Sequence, residues 1–154
     1  VKLLKRIPVI FYLFVFSVVG FSQSYSGTII RVIDGDTYVF QTVEGSFIVR
    51  MYGIDAPEKN QPFGEESTKF LSAYLYKDAI TRVNGIDRYG RRIGTLYFAD
   101  QDLNMLSIKK GFSWHHKQYS KDKEYADAEE YARKNKLGLW KDNNHISPWE
   151  WRRR

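Results

Sequence analysis

The sequence predicts an α+β domain, mainly β: five short strands forming a small barrel or sandwich, with three helices. Three observations lead there. Between Tyr25 and Phe98 the chain alternates short β-branched and aromatic runs with turn residues. Three segments carry apolar residues at helical spacing or end signals typical of helices. The chain has 154 residues, 43% hydrophobic and 27% charged, which suits one compact domain and excludes collagen, coiled coil or a mostly disordered tail.

The strands are expected near residues 26–33, 36–43, 46–52, 79–83 and 92–98, with turns at Asp34-Gly35, Glu44-Gly45 and Tyr89-Gly90. Between the third and fourth strands, Ser67, Phe70, Leu71, Tyr74 and Leu75 recur at three and four, predicting a helix over 64–76 with one buried stripe. A second helix is expected over 102–110, capped by Asp102 and stopped by Gly111. The third is capped by Ser120 and closed by Gly138, with Asp122, Glu124 and Asp127 near its positive end and Arg133, Lys134 and Lys136 near its negative end. Tyr125, Ala128 and Ala132 form its inward face. Residues 141–154, with Trp149 and Trp151 beside Pro148, read as a strap packed on the domain and ending in a solvated basic tip.

Residues 1–22 read as a secretory signal: Lys2, Lys5 and Arg6, then an apolar stretch over 7–21, then Gly20 and Ser22 at a plausible cut. The stretch is shorter than the roughly 20 residues that usually span a bilayer, so export with removal is expected, to the periplasm or the medium. The net charge is +6. Removing those three cations from 24 basic residues leaves 21 against 18 acidic ones, or +3, so any anion site must be argued from individual arginines. Cysteine is absent, which excludes disulfide scaffolds, thiolate zinc sites, iron–sulfur ligation and a cysteine nucleophile.

Two loops concentrate carboxylates: Ile33-Asp34-Gly35-Asp36-Thr37 and Gly53-Ile54-Asp55-Ala56-Pro57-Glu58. Carboxylate and carbonyl oxygens are hard ligands suited to calcium or magnesium. The twelfth positions counted from Asp34 and Asp36 are Gly45 and Phe47, so neither loop is an EF-hand. Taken alone, Asp34-Gly35 reads equally as a hairpin turn. Arg50 interrupts a strand that is apolar on both faces, and its guanidinium needs an anion, either a neighbouring carboxylate or a phosphate held by two hydrogen bonds. Asp87-Arg88-Tyr89-Gly90-Arg91-Arg92 packs three guanidiniums and a tyrosine into a turn, a solvated hairpin end or a phosphate clamp.

By order and spacing these blocks resemble the staphylococcal nuclease (thermonuclease) family over about residues 25–140. The blocks are 33–37, then Arg50-Met51-Tyr52-Gly53-Ile54-Asp55-Ala56-Pro57-Glu58, then Asp87-Arg88-Tyr89-Gly90-Arg91, extended by Gly138-Leu139-Trp140. The resemblance implies a five-stranded OB-fold barrel with three helices and calcium-dependent cleavage of DNA and RNA with low sequence specificity, leaving 3′-phosphate ends. It implies that Asp36, Asp55 and the Ala56 carbonyl ligate Ca2+, that Arg50 and Arg91 bind the scissile phosphate, and that Glu58 activates water. Ala56 stands where the family's best-known member has threonine. The ligand there is a main-chain oxygen, and Pro57 biases Ala56 to extended backbone. Arg88, Tyr89, His116 and Tyr119 are candidates for substrate contact by phosphate binding or base stacking. A monomer without a stable protein partner is expected.

Two other readings compete. His115, Lys117 and Asp122 fit the H-x-K-x-x-x-x-D spacing of phospholipase D-like phosphodiesterases, although only one copy is present. A non-catalytic OB-fold module that binds nucleic acid is the third. Metal dependence of cleavage separates the first from a calcium nuclease, and loss of cleavage with retained binding in a Glu58 variant separates the second.

Overall fold

The computed structural model describes residues 22–154. The predicted export signal therefore lies outside the described residues, apart from Ser22. Five strands close into a barrel: β1 (Gln23–Asp34), β2 (Thr37–Thr42), β3 (Gly45–Met51), β5 (Asp78–Ile86) and β6 (Arg92–Phe98). The long β1 serves two neighbours, pairing antiparallel with β5 through Gln23–Thr28 and with β2 through Thr28–Asp34. β2 continues antiparallel to β3, and β5 to β6. The ring closes where β3 meets β6 in parallel, Arg50 opposite Ile93. Closure satisfies the strand edges that an open sheet would expose.

The barrel is filled by side chains that alternate inward along each strand, among them Ile29, Tyr38, Phe40, Val49, Met51 and Leu96. Tyr38 is fully buried and its hydroxyl is satisfied by Thr81 Oγ1 at 2.9 Å. Leu71 of α1 (Gly64–Ser72), Leu103 and Ile108 of α2 (Leu103–Lys109), and Tyr125 and Ala128 of α3 (Lys123–Lys134) join the same core. A smaller core of Trp114, Ala132, Leu139 and Trp140 lies beside it, flanked by Phe63, Leu137 and Trp149. Two short strands, β4 (Ile54–Asp55) and β8 (Trp114–His115), pair antiparallel and connect the two regions. A further two-residue strand, β7 (Gln101–Asp102), leads into α2.

The mainly β, OB-type barrel agrees with the sequence expectation, with differences at the helices. α1 stops at Ser72 because the chain turns at Tyr76, whose φ is 60°, letting Leu75 bridge to Ile29 of β1. Asp102 caps α2 as expected, accepting from the Met105 amide at 2.9 Å. α3 is capped by Asp122 rather than Ser120: Asp122 accepts the Glu124 amide at 2.8 Å, and Ser120 Oγ, two residues earlier, accepts the Asp122 amide. α3 ends at Lys134 with Lys136 in the left-handed conformation, and Gly138, also left-handed, comes two residues later. Gly138 instead opens a 3-10 helix, Gly138–Lys141, packed directly on the Gly111 backbone, where any Cβ on either residue would collide. The strap contains a fourth helix, α4 (Pro148–Trp151), that the three-helix reading omitted. Ser147 and Glu150 form a capping box around it, with Pro148 at its first position.

Candidate active site

The turn from β1 to β2 supplies the first carboxylate. Asp34 Oδ1 accepts the Asp36 amide at 3.1 Å, tightening the turn, and Asp36 Oδ1 accepts from Thr37 Oγ1 at 2.9 Å. Gly35 is required by close approach: a Cβ there would stand 2.6 Å from the Ser67 Cβ and 2.7 Å from the Ala56 Cβ. The turn therefore lies flat against α1 and the β4 exit. Asp36 Oδ2 accepts the Ala56 amide at 2.7 Å, joining the two acidic loops.

Asp55 reaches the same place from β4, which is held by its pairing with Trp114 and His115. Arg50 binds the loops together. Its Nη1 donates to the carbonyls of Met51 (3.1 Å) and Ile54 (2.9 Å), while its Nη2 lies 2.9 Å from Asp55 Oδ1 and 3.2 Å from Asp36 Oδ2. The two carboxylates thus converge on one guanidinium nitrogen. Both are buried, Asp36 at 5% and Asp55 at 1% exposure. Burial pushes the Asp55 carboxyl above its ordinary range, opposed by hydrogen bonds from Arg152 and reinforced by the charge of Asp36. Asp34 is pushed up to about 7, again by burial first and then by Asp36.

Glu58 follows in the same loop, its backbone amide fixed by Gln61 Oε1 at 3.0 Å. Gln61 in turn donates to the Ile146 carbonyl at 2.6 Å, linking the loop to the strap. The turn from β5 to β6 brings Arg91, whose Nε lies 2.8 Å from Asp87 Oδ2, while Asp87 Oδ1 accepts the amides of Tyr89 and Arg91. Burial raises the Asp87 carboxyl, but the bonds from Arg91 and Tyr89 together outweigh it and hold the group below its usual range. Arg88 Nη2 donates to the Tyr89 hydroxyl at 2.8 Å. On the opposite wall, the His116 and Tyr119 rings lie 4.6 Å apart, and His116 Nε2 is 3.8 Å from Asp55 Oδ2.

All ten side chains or loop positions singled out from sequence line one cavity of about 830 Å3: Asp36, Arg50, Asp55, Ala56, Glu58, Arg88, Tyr89, Arg91, His116 and Tyr119. Residues 48–142 match the staphylococcal nuclease homologue family. The chain belongs to the staphylococcal nuclease family. Within that family it is 38% identical over 153 residues to a Haemophilus influenzae protein called an uncharacterized endonuclease, covering 97% of this chain and 86% of the relative. An Escherichia coli protein of the same description is 34% identical over 152 residues, covering 97% and 98%. A Shigella flexneri micrococcal nuclease is 32% identical over 141 residues, covering 84% and 81%.

One residue that lines the cavity and grips its carboxylates was missed from sequence. Arg152, assigned to a solvated tip, places its guanidinium in the cavity: Nη2 is 2.8 Å from Asp55 Oδ2, and Nη1 is 2.7 Å from Glu58 Oε1 and 3.3 Å from Asp55 Oδ1. Three consecutive arginines give no sequence signal for which one is captured. The tryptophans beside them do show that the strap is anchored, through Trp149 against Trp114 and His116 and Trp151 Nε1 to Asn60 Oδ1 at 3.3 Å.

The H-x-K-x-x-x-x-D set does not assemble. His115 is buried against Tyr125, Lys117 pairs with Glu129 Oε2 at 3.0 Å, and Asp122 is spent capping α3. His115 and Lys117 line a separate cavity of about 260 Å3 with Glu129, but Asp122, Asp36 and Asp55 do not line it.

The chemistry of the donors fits a hard divalent cation: two buried carboxylates and a backbone carbonyl, with burial disfavouring the charge on Asp55. Among the described residues no three His, Cys, Asp or Glu side chains stand close enough to form a complete cage, so a cation held here would draw further ligands from the backbone, water or substrate.

Proposed function

We propose that this chain is an exported, calcium-dependent nuclease that hydrolyses phosphodiester bonds of DNA and RNA with little sequence specificity and leaves 3′-phosphate ends. The observation that carries this reading is the convergence of Asp36, Arg50, Asp55, Glu58 and Arg91, drawn from three loops and two strands, on one cavity in a chain of the staphylococcal nuclease family. Calcium dependence is supported by the all-oxygen donor set, and export by the cationic and apolar character of residues 1–22.

Asp36, Asp55 and the Ala56 carbonyl would hold the cation, which when bound supplies Lewis-acid stabilisation of charge on a phosphate oxygen. Arg50 through its Nε–H and Arg91 through its Nη groups, the donors their other contacts leave over, would serve the other non-bridging oxygens, where charge gathers in the transition state. Arg50 is well suited because two backbone carbonyls hold its plane. Glu58 takes a proton from the attacking water, and loss of the 5′ oxygen leaves the phosphate on the 3′ side. His116 and Tyr119 form an aromatic wall on which a base can stack. A non-catalytic binding module is disfavoured because the ionisable set is complete and shares one cavity.

The test is cleavage of single- and double-stranded DNA and RNA by the purified full chain with calcium, magnesium or chelator, followed by determination of fragment ends. Calcium-dependent cleavage with 3′-phosphate ends is expected. Cleavage unaffected by excess chelator, or 5′-phosphate ends, would overturn the assignment. Fractionation of cells expressing the full chain tests export separately.

A further inference from the structure

None of the family-like blocks contains Arg152, yet its guanidinium grips both Asp55 and Glu58. We propose that Arg152 is a tethered counter-ion that holds Asp55 while no divalent cation is bound and must release it when one binds, so that the C-terminal strap sets the cation affinity of the site. The inference rests on the reading of Asp55 as a cation ligand.

Asp55 is nearly inaccessible, and both of its oxygens are engaged. Oδ1 receives Arg50 at 2.9 Å and Arg152 at 3.3 Å; Oδ2 receives Arg152 at 2.8 Å. A divalent ion ligated by this carboxylate needs lone pairs that the guanidinium already uses, and the two positive groups repel each other at such short range. One arginine has to yield.

Arg50 is poorly placed to do so. Its side chain is 19% exposed and is fixed by two backbone carbonyls as well as two carboxylates. Arg152 is 46% exposed on its side chain, and among the described residues its guanidinium bonds only to the carboxylates of Asp55 and Glu58. Its guanidinium has water beside it to move into, and the cation that replaces it takes over the charge of the buried Asp55, so the carboxylate is not left unpaired. Its backbone stays near the cavity, because Trp149, Trp151 and the Ser147–Glu150 cap anchor α4 independently of the guanidinium. Docked Arg152 therefore lowers the fraction of protein competent to take the cation, and the apparent dissociation constant rises in proportion.

The test is calorimetric titration of calcium chloride, without nucleic acid, into the full chain and into Arg152→Gln and Arg153→Gln. Arg153 is the charge control: it lines the smaller cavity with Trp149 and makes no ion pair among the described residues. Arg152→Gln is expected to bind calcium about three- to tenfold more tightly, with Arg153→Gln close to the parent. Arg152→Lys keeps the charge but loses the two-pronged grip on Asp55, and it should fall between; it carries the test if the Gln variant does not fold. Equal or weaker binding by Arg152→Gln overturns the proposal, as does an equal gain in Arg153→Gln. Equal binding by all proteins removes only the competition. Binding by none removes the calcium reading as well.

Discussion

The Asp36 carboxylate accepts the amide proton of Ala56 at 2.7 Å across twenty residues of sequence. This bond sets the spacing of the acidic loops, because the same Asp36 oxygen also faces Arg50. A backbone amide therefore helps to position the group proposed to hold the cation.

That approach depends on Gly35. Gly35→Ala would force its methyl against Ser67 and Ala56, both on packed segments, and overpacking of this kind costs roughly 1–3 kcal/mol. The expected result is a lower urea midpoint together with weaker calcium binding, read by denaturation and calorimetry on the same protein.

Arg50→Lys keeps a positive charge but cannot serve two carbonyls and two carboxylates at once. Cleavage should fall by about a hundred- to a thousandfold, the scale for losing one oriented transition-state donor. Steady-state kinetics beside a thermal melt would check that the loss exceeds any change in folded fraction.

Glu58→Ala should retain calcium-dependent DNA binding while turnover drops by about a hundred- to ten-thousandfold, the usual contribution of a positioned acid–base group. Electrophoretic binding and cleavage assays in parallel decide it; undiminished turnover would remove Glu58 from the mechanism.

Asn104 is fully buried at the start of α2. Its Nδ2 donates to the carbonyls of Tyr52 (2.9 Å) and Gly94 (3.2 Å), and its Oδ1 accepts the Leu96 amide at 3.1 Å. Asn104→Leu removes these three bonds from the core, the Gly94 carbonyl keeping only the Tyr52 amide, a loss of about 2–3 kcal/mol. Urea denaturation should show it as a lower midpoint with an unchanged slope.

Burial holds the His115 imidazole below its ordinary pKa, partly offset by Glu129, with Lys117 lowering it further. The unfolded chain then binds a proton that the folded chain refuses, so this group favours folding above its ordinary value of 6.5 and loses that advantage as pH falls below it. His115→Phe should flatten the fall in stability between neutral pH and pH 5, seen as a smaller difference in urea midpoint than in the parent.

The barrel was legible because its strands carry strong local signals: Arg92–Phe98 has the bounds expected from its β-branched and aromatic run. β1 proved longer than its own pattern suggests, since pairing with β5 extends it to Gln23. The acidic and basic blocks could be found because each is contiguous, and the fold brings them to one cavity. Arg152, Gln61 and Asn104 were not found. Each acts through partners distant in sequence, Arg152 on Asp55, Gln61 on Ile146 and Asn104 on Tyr52. The helix α4 could have been read from Ser147-Pro148-Trp149-Glu150, whose capping pattern is local.

The ribbon in which Ile54 and Asp55 pair with His115 and Trp114 is only two residues long on each side. It is also the seam between the large barrel interior and the tryptophan cluster. Short seams open at lower free energy than the bodies they join. Warming should accordingly silence the protein first by parting this seam, with the cylinder of strands still intact, and cooling from that point should restore it without refolding the whole chain.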